Sequence, residues 1–180
     1  MEFLDIVDKN GNPTGEIQER AVVHKMGLRH RTSHVWILRR KNGRVQVLLQ
    51  KRGLQKESFP GCYDISSAGH IPAGMDFLTS ALRELDEELG IKAQPKELIF
   101  CGQRKFYTEA QFHGKPFKDC QVSNIYVLWK DIQTDEIRIQ KEELESVLWM
   151  DYQECCEKVK HNSFLHSIVP EELELLKSQM

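Results

Sequence analysis

The stretch Gly69 to Ile91, GHIPAGMDFLTSALRELDEELGI, sets Arg83, Glu84, Glu87 and Glu88 in a fixed spacing between two glycines. Asp76 or Thr79 can cap a helix inside it, and Gly90 can end that helix as a left-handed C-terminal residue. Leu78, Leu82, Leu85 and Leu89 recur at helical spacing and predict a stripe packed against a sheet. The three glutamates are then expected together on the face turned away from the leucines. Like charges four apart cost a helix only about 0.2–0.5 kcal/mol, so such a patch also suits a solvated surface with Arg83 paired to Glu87. The Gly-rich loop that leads in, with Gly69, Pro72 and Gly74, favours a site instead, because it can turn backbone groups toward an ion or a phosphate. Magnesium takes oxygen ligands, commonly one or two carboxylates plus substrate phosphates. Three glutamates meet that need and leave one to act as a base.

In this register the residues resemble the box of the Nudix hydrolase family, G-x5-E-x7-R-E-U-x-E-E-x-G-U, where U is aliphatic. Gly69, Arg83, Glu84, Leu85, Glu87, Glu88, Gly90 and Ile91 match, and Met75 alone departs, standing where the family has its first glutamate. The resemblance implies a Nudix-type α/β/α sandwich with a central mixed sheet, and a metal-dependent diphosphatase. On that reading Glu84, Glu87 and Glu88 hold Mg²⁺ or Mn²⁺, and Glu84 by analogy orients or deprotonates the attacking water. The reaction is hydrolysis of a phosphoanhydride in a nucleoside diphosphate derivative. The family's first glutamate supports the box Arg from behind, so Met75 bears on the orientation of Arg83, and Asp76 is available as a substitute.

The whole chain is compatible with one such domain, residues 1–180. With 180 residues and 40% hydrophobic content it can build one substantial core and not two large ones. A net charge of −2 and a pI near 6.4 give no footprint for long nucleic acids. Charged residues from Glu2 onward and the lack of a long apolar run predict a soluble, cytoplasmic protein with no membrane partner. The five cysteines are odd in number and form no C-x2-C pair, which predicts free thiols. A small-molecule diphosphate is the expected partner, and a homodimer is left open.

Strands are predicted at Phe3–Val7, His34–Arg39, Val45–Arg52, Leu98–Tyr107, Val122–Trp129 and Val147–Asp151, with an apolar segment from Tyr63 to Ile71. Short helices are predicted at Glu19–Met26, Tyr152–Val159 and Pro170–Ser178. The polar segment Thr108–Gln121 reads as a long hairpin loop over the site. It and Lys160–Val169 are the expected sources of substrate contacts beyond the diphosphate. Trp36, Trp129 and Trp149 are assigned to the core.

Residues 3–150 bear a sharper resemblance, to the isopentenyl-diphosphate isomerase-like branch of the superfamily, carried by HKMGLRHRTSHVW (His24–Trp36) and SSAGH (Ser66–His70). In the isomerases two upstream histidines, one histidine after the box Gly and box acidic residues bind metal, and a cysteine before that Gly moves protons on the alkene. His24, His30 and His70 are the counterparts here, but position 68 is Ala, and a methyl group neither gives nor accepts a proton. Hydrolysis is therefore preferred over isomerisation, with a non-catalytic nucleotide sensor as a third reading. His70 and Gly69 are expected at the pocket, His70 more as a substrate contact than as a ligand. His30 and His34 also suit simple strand-end roles. Arg52, closing the strand VQVLLQKR, is a candidate phosphate contact or an ordinary strand-end charge. Glu143 is a candidate late-loop base, with Glu142 and Glu145 equally available and helix-start stabilisation as the plainer role. Phe59, Pro60 and Tyr63 could wall the pocket or pack in the core.

Overall fold

The computed structural model describes residues 1–180. In chain order it runs β1 (Phe3–Val7), β2 (Pro13–Glu19), α1 (Arg20–Met26), β3 (Arg29–Lys41), β4 (Arg44–Arg52), β5 (Tyr63–Asp64), β6 (Ser67–His70) and α2 (Phe77–Leu89). There follow β7 (Leu98–Phe112), β8 (Lys115–Trp129), β9 (Leu144–Asp151), α3 (Tyr152–Lys160) and α4 (Pro170–Leu176). β1 and β2 pair as a small antiparallel sheet. The main sheet has the order β5-β4-β3-β8-β7, with β6 added to β3 and β9 to β4. Only β3 and β8 run parallel, so the sheet is mixed, as expected.

Two-residue alternation along the central strands sorts the core into two layers. Trp36 and Leu38 of β3, Val47 and Leu49 of β4, and Ile125 and Val127 of β8 face α3 and α4, meeting Cys155, Val159, Leu173 and Leu176. Val35, Ile37, Leu48, Tyr126 and Leu128 face the other way and meet Ala81, Leu85 and Leu89 of α2. Helices therefore cover both faces, which is the α/β/α sandwich. Trp36 is fully buried, whereas Trp129 and Trp149 are half-buried at the margins of the two layers. No helix is long and apolar enough to cross a membrane.

One edge of β3 serves two partners. β6 pairs along Thr32–Val35 and β4 along Leu38–Lys41. The buried Ser66 hydroxyl bridges the fork, accepting from the Ile37 amide at 2.7 Å and donating to the Leu48 carbonyl at 2.6 Å. Main-chain groups that the fork would otherwise strand in the interior are thereby satisfied.

Two expectations need correction. Thr108–Gln121 is not a loop: β7 and β8 pair without a break from Arg104↔Ser123 to Phe112↔Lys115, around a turn at His113-Gly114 whose residues have φ 51° and 74°. Positive φ at both central residues is the hairpin turn that matches strand twist, and alternating polar residues make a two-sided ladder that hydrophobicity does not mark. β2 was not expected either. Its side chains are largely exposed, and its partner β1, not an apolar pattern, defines it.

Candidate active site

α2 begins as the sequence predicts. Asp76 accepts the Thr79 amide at 2.9 Å, and Gly90 ends the helix at φ 64° with its amide directed to Asp86 and Leu85 carbonyls. Its buried stripe is Ala81, Leu85 and Leu89, while Leu78 and Leu82 are only half-buried. This rotation changes where the acids go. Glu88 is 7% exposed and Glu84 lies largely covered, both turned toward β6, whereas Glu87 is exposed beside Arg83. The three carboxylates thus do not share a solvated face. Two are drawn inward at the edge of the core.

Each inward carboxylate has a specific neighbour on β6. Ser67 Oγ donates to Glu88 Oε2 at 2.8 Å. Glu84 lies against Gly69 so closely that a Cβ at 69 would overlap its carboxylate. That contact is a physical reason for glycine at the start of the box. Burial pushes the Glu88 carboxyl up to about 8, helped by the Glu84 charge and opposed by Ser67. Burial likewise pushes Glu84 up to about 7, with Arg83 opposing and Glu87 adding. Arg83 donates to Glu84 Oε1 at 2.5 Å and reaches Glu87 at 3.6 Å.

The loop before α2 is held without help from the residue-75 side chain. Arg31 Nη2 donates both to Asp5 Oδ2 at 2.8 Å and to the Met75 carbonyl at 2.9 Å, and Asp5 Oδ2 also accepts the Gly74 amide at 2.9 Å. Asp76 is occupied as the helix cap and bonds Thr79 through both oxygens, so it does not stand in for the absent box glutamate.

Three histidines converge at the end of β6. His24 of α1, His30 of β3 and His70 of β6 each place one ring nitrogen within 4.8 Å of the others, and His24 Nε2 lies 3.0 Å from His70 Nε2. Nδ1 of His30 faces the Leu28 carbonyl at 3.0 Å and Nδ1 of His24 faces the Lys118 carbonyl at 3.3 Å. Donation there leaves each Nε2 as an acceptor: that of His30 has no hydrogen-bond partner, and that of His24 faces His70 Nε2, an arrangement that orients metal-binding imidazoles. Asp119 Oδ1 approaches His30 Nε2 at 3.4 Å, and both atoms are buried with no hydrogen-bond partner. Burial lowers His24 to about 4, with His30 adding, and holds His70 well below its ordinary value. Burial also lowers His30, against the pull of Asp119. Neutral imidazoles with converging lone pairs and an orphaned carboxylate oxygen fit a divalent ion.

A cavity of about 140 Å³ opens beside Gly69 and His70, lined also by Ala68, Arg52, Lys56 and Arg104. A broader groove of about 910 Å³ adjoins it and shares Arg20, Lys56, Ser58 and Phe117. Arg52 is fixed by the Ser58 carbonyl at 2.9 Å and faces Asp64 at 3.5 Å. Glu143 lines the broader groove with Glu142 and pairs there with Lys56. Phe59 lines the cavity, while Tyr63 packs against Phe164 in the core. Phe117, Asp119 and Gln121 from the hairpin, and Ser167 and Val169 from before α4, complete the wall. His34 is not a strand-end residue: it is buried and bonded to Glu172. Arg20, Lys56, Arg104, Asp119 and Glu172 were not anticipated. Their local sequence carries no marker, because long-range packing brings them to the cavity.

Comparison with known proteins identifies the family and the fold. The NUDIX domain model matches residues 28–171. Nudix hydrolase 3 of Arabidopsis thaliana is 41% identical over 157 residues, covering 85% of this chain and 20% of the plant protein. An uncharacterized Nudix hydrolase of Clostridium acetobutylicum is 34% identical over 153 residues, covering 85% of this chain and 71% of its own length. Among solved structures, DR0079 from Deinococcus radiodurans superimposes with a TM-score of 0.69 at 14% identity, over 98% of both chains. A C. elegans Ap4A hydrolase binary complex gives 0.57 at 18% identity, over 83% of this chain and 96% of that one. With the box helix, the mixed sheet and these relatives in agreement, the chain belongs to the NUDIX domain family, and its relatives over most of its length are Nudix hydrolases.

Proposed function

We propose that the protein is a metal-dependent pyrophosphohydrolase that cleaves a phosphoanhydride bond in a nucleoside diphosphate derivative. The observation that carries this is the inward pair Glu84 and Glu88, held against Gly69 and Ser67 of β6, the strand whose Ala68, Gly69 and His70 line a cavity together with Arg52, Lys56 and Arg104. Two covered carboxylates side by side, with one arginine and one hydroxyl between them, are costly in their charged forms, and a divalent ion is the partner that would compensate them. Glu84 and Glu88, with Glu87 from the outer side, would hold Mg²⁺ or Mn²⁺. Bound there, the ion supplies charge neutralisation for the diphosphate and a more acidic water. By analogy with the family, Glu84 would orient or deprotonate the attacking water. Arg83 fixes Glu84, while Arg52, Lys56 and Arg20 contact phosphate oxygens and Gly69 and His70 form the adjoining wall. The Ap4A hydrolase that shares the fold is named for a nucleotide substrate, which is compatible with this substrate class.

The three histidines and Asp119 form a second candidate metal centre, one whose nitrogen donors favour a transition metal over magnesium. Their convergence supports kinship with the isomerase-like branch. The chemistry does not follow, because Ala68, which lines the cavity where the isomerases have cysteine, has no proton to exchange, and Cys62 does not line it. The whole of residues 1–180 acts as one domain on this reading, because α1, outside the matched segment, supplies Arg20 and His24. All five cysteines are free, in keeping with a reducing cytoplasm.

The test is a panel of nucleoside di- and triphosphates, nucleotide sugars, dinucleotides and prenyl diphosphates, with phosphate release followed at pH 7 to 9 in Mg²⁺ or Mn²⁺. At least one nucleoside diphosphate derivative should turn over, and Glu84→Gln and Glu88→Gln should each lose it while remaining folded. Full turnover in both variants would refute the site. Deuterium incorporation into isopentenyl diphosphate would shift the assignment to isomerisation.

A further inference from the structure

Across the cavity from Gly69 and His70, the wall is built from polar groups held in place by one buried acid. Glu172 of α4 is 1% exposed, and its two oxygens take three donors: Arg104 Nε at 2.9 Å, His34 Nδ1 at 2.8 Å and Trp36 Nε1 at 3.0 Å. Arg104 is itself 8% exposed and its guanidinium rests on the Phe106 ring at 4.6 Å. One of its nitrogens, Nη1, is buried with no hydrogen-bond partner, although Arg104 lines the cavity. Native interiors rarely leave a buried donor unmet, and such a donor next to a cavity marks a place for an acceptor from outside the chain. The polar wall continues from His34 Nε2 to Thr32 Oγ1 at 3.3 Å and from Thr32 to Ser123 at 2.7 Å.

We propose that Arg104, positioned by Glu172, is the specificity-determining residue for the part of the substrate beyond the diphosphate, and that it takes an uncharged hydrogen-bond acceptor such as a carbonyl oxygen or ring nitrogen of a nucleobase. This rests on the diphosphatase reading given above. A neutral acceptor satisfies Nη1 without adding net charge beside the buried Arg104–Glu172 pair. An alkyl head would cover the donor and leave it unpaired, which is the form of discrimination that rejects analogues lacking the matching polar group. Phe106 beneath the guanidinium adds a flat apolar surface beside the same spot. The C-terminal helix thus helps to choose the substrate, although the box glutamates lie on a different helix.

Two measurements test this. Calorimetry with Mg²⁺ compares α,β-methylene ADP, which carries a base, with methylenediphosphonate, which has no head. Steady-state kinetics compares the best nucleoside substrate of the panel with isopentenyl diphosphate. In Arg104→Met the advantage of α,β-methylene ADP over methylenediphosphonate should shrink about tenfold, the size of one lost hydrogen bond to a charged donor. KM for the nucleoside substrate should rise by a similar factor with kcat little changed. Arg104→Lys should restore part of the loss, and Glu172→Gln should move the same ratio in the same direction. Unchanged ratios in Arg104→Lys and Glu172→Gln, both folded by circular dichroism, overturn the proposal even if Arg104→Met fails to fold. Base-dependent binding that needs Arg104 in a protein with no turnover would sink the diphosphatase reading and leave this one standing. Turnover with selectivity independent of Arg104 does the reverse.

Discussion

Gly69 and Glu84 touch so closely that the backbone of β6 leaves no space for a side chain between them. Gly69→Ala should therefore push the Glu84 carboxylate out of place rather than unfold the chain, since the displaced atoms are the far end of a flexible side chain. The expected outcome is a stability loss of about 1–3 kcal/mol and a fall in Mn²⁺ affinity of at least tenfold. Thermal melts and Mn²⁺ titration by electron paramagnetic resonance measure both. Unaltered affinity would mean that Glu84 is not a ligand.

Metal and pH should act together on stability. Glu84 and Glu88 have folded pKa values raised to about 7 and about 8 from an ordinary 4.5, so their stabilising contribution is full below about pH 4.5 and is lost as pH rises through 7 and 8. The histidines run the other way. With folded values depressed below the ordinary 6.5, their contribution is full above that pH and lost as pH falls. Between pH 6.5 and 8 the glutamates dominate, and the Tm of metal-free protein should decline. Saturating Mn²⁺ should raise Tm strongly at pH 8 and little at pH 5.5. A metal-free Tm that climbs across this window would contradict the burial of the two acids.

The histidine centre can be separated from the glutamates. Co²⁺ should give a visible ligand-field spectrum in the wild type that is lost in His30→Ala and in His70→Ala, while Glu88→Gln keeps it. Loss in the glutamate variant alone would place the cobalt at α2.

Asp5 and Arg31 are nearly buried and hold the loop before α2 through the Gly74 amide and the Met75 carbonyl. Asp5→Ala strands a buried guanidinium and should cost about 3–5 kcal/mol, read by urea denaturation. Met75→Glu should change stability by less than about 0.5 kcal/mol, because the loop is anchored through main-chain atoms that any residue supplies. A large gain in activity from Met75→Glu would show that Arg83 needs the support it lacks here.

Features written into short segments were legible in the sequence: the Asp76 and Gly90 caps, the strands of β3 and β4, and the box spacing from Gly69 to Ile91. The rotation of α2 was not, because leucine spacing leaves two neighbouring stripes nearly equivalent and only packing against Val35, Ile37 and Leu48 chooses between them. The trio His24, His30 and His70 is named through resemblance to the isomerases, whereas the local sequence does not show its convergence, which joins α1, β3 and β6 through long-range packing such as the β3–β6 ladder. Glu172 gave no signal at all. It stands in a run of acids, PEELELL, and only docking of α4 singles it out from Glu171 and Glu174.

The grip of Asp5 on Arg31 also sets how short a working version of this protein can be. A fragment cut before Leu28 would keep the central sheet and the glutamate helix, yet would surrender the anchor of the turn beneath that helix and one of three imidazoles. Trimming to the segment that is recognisable by family resemblance would leave an outline of the enzyme without its fastening.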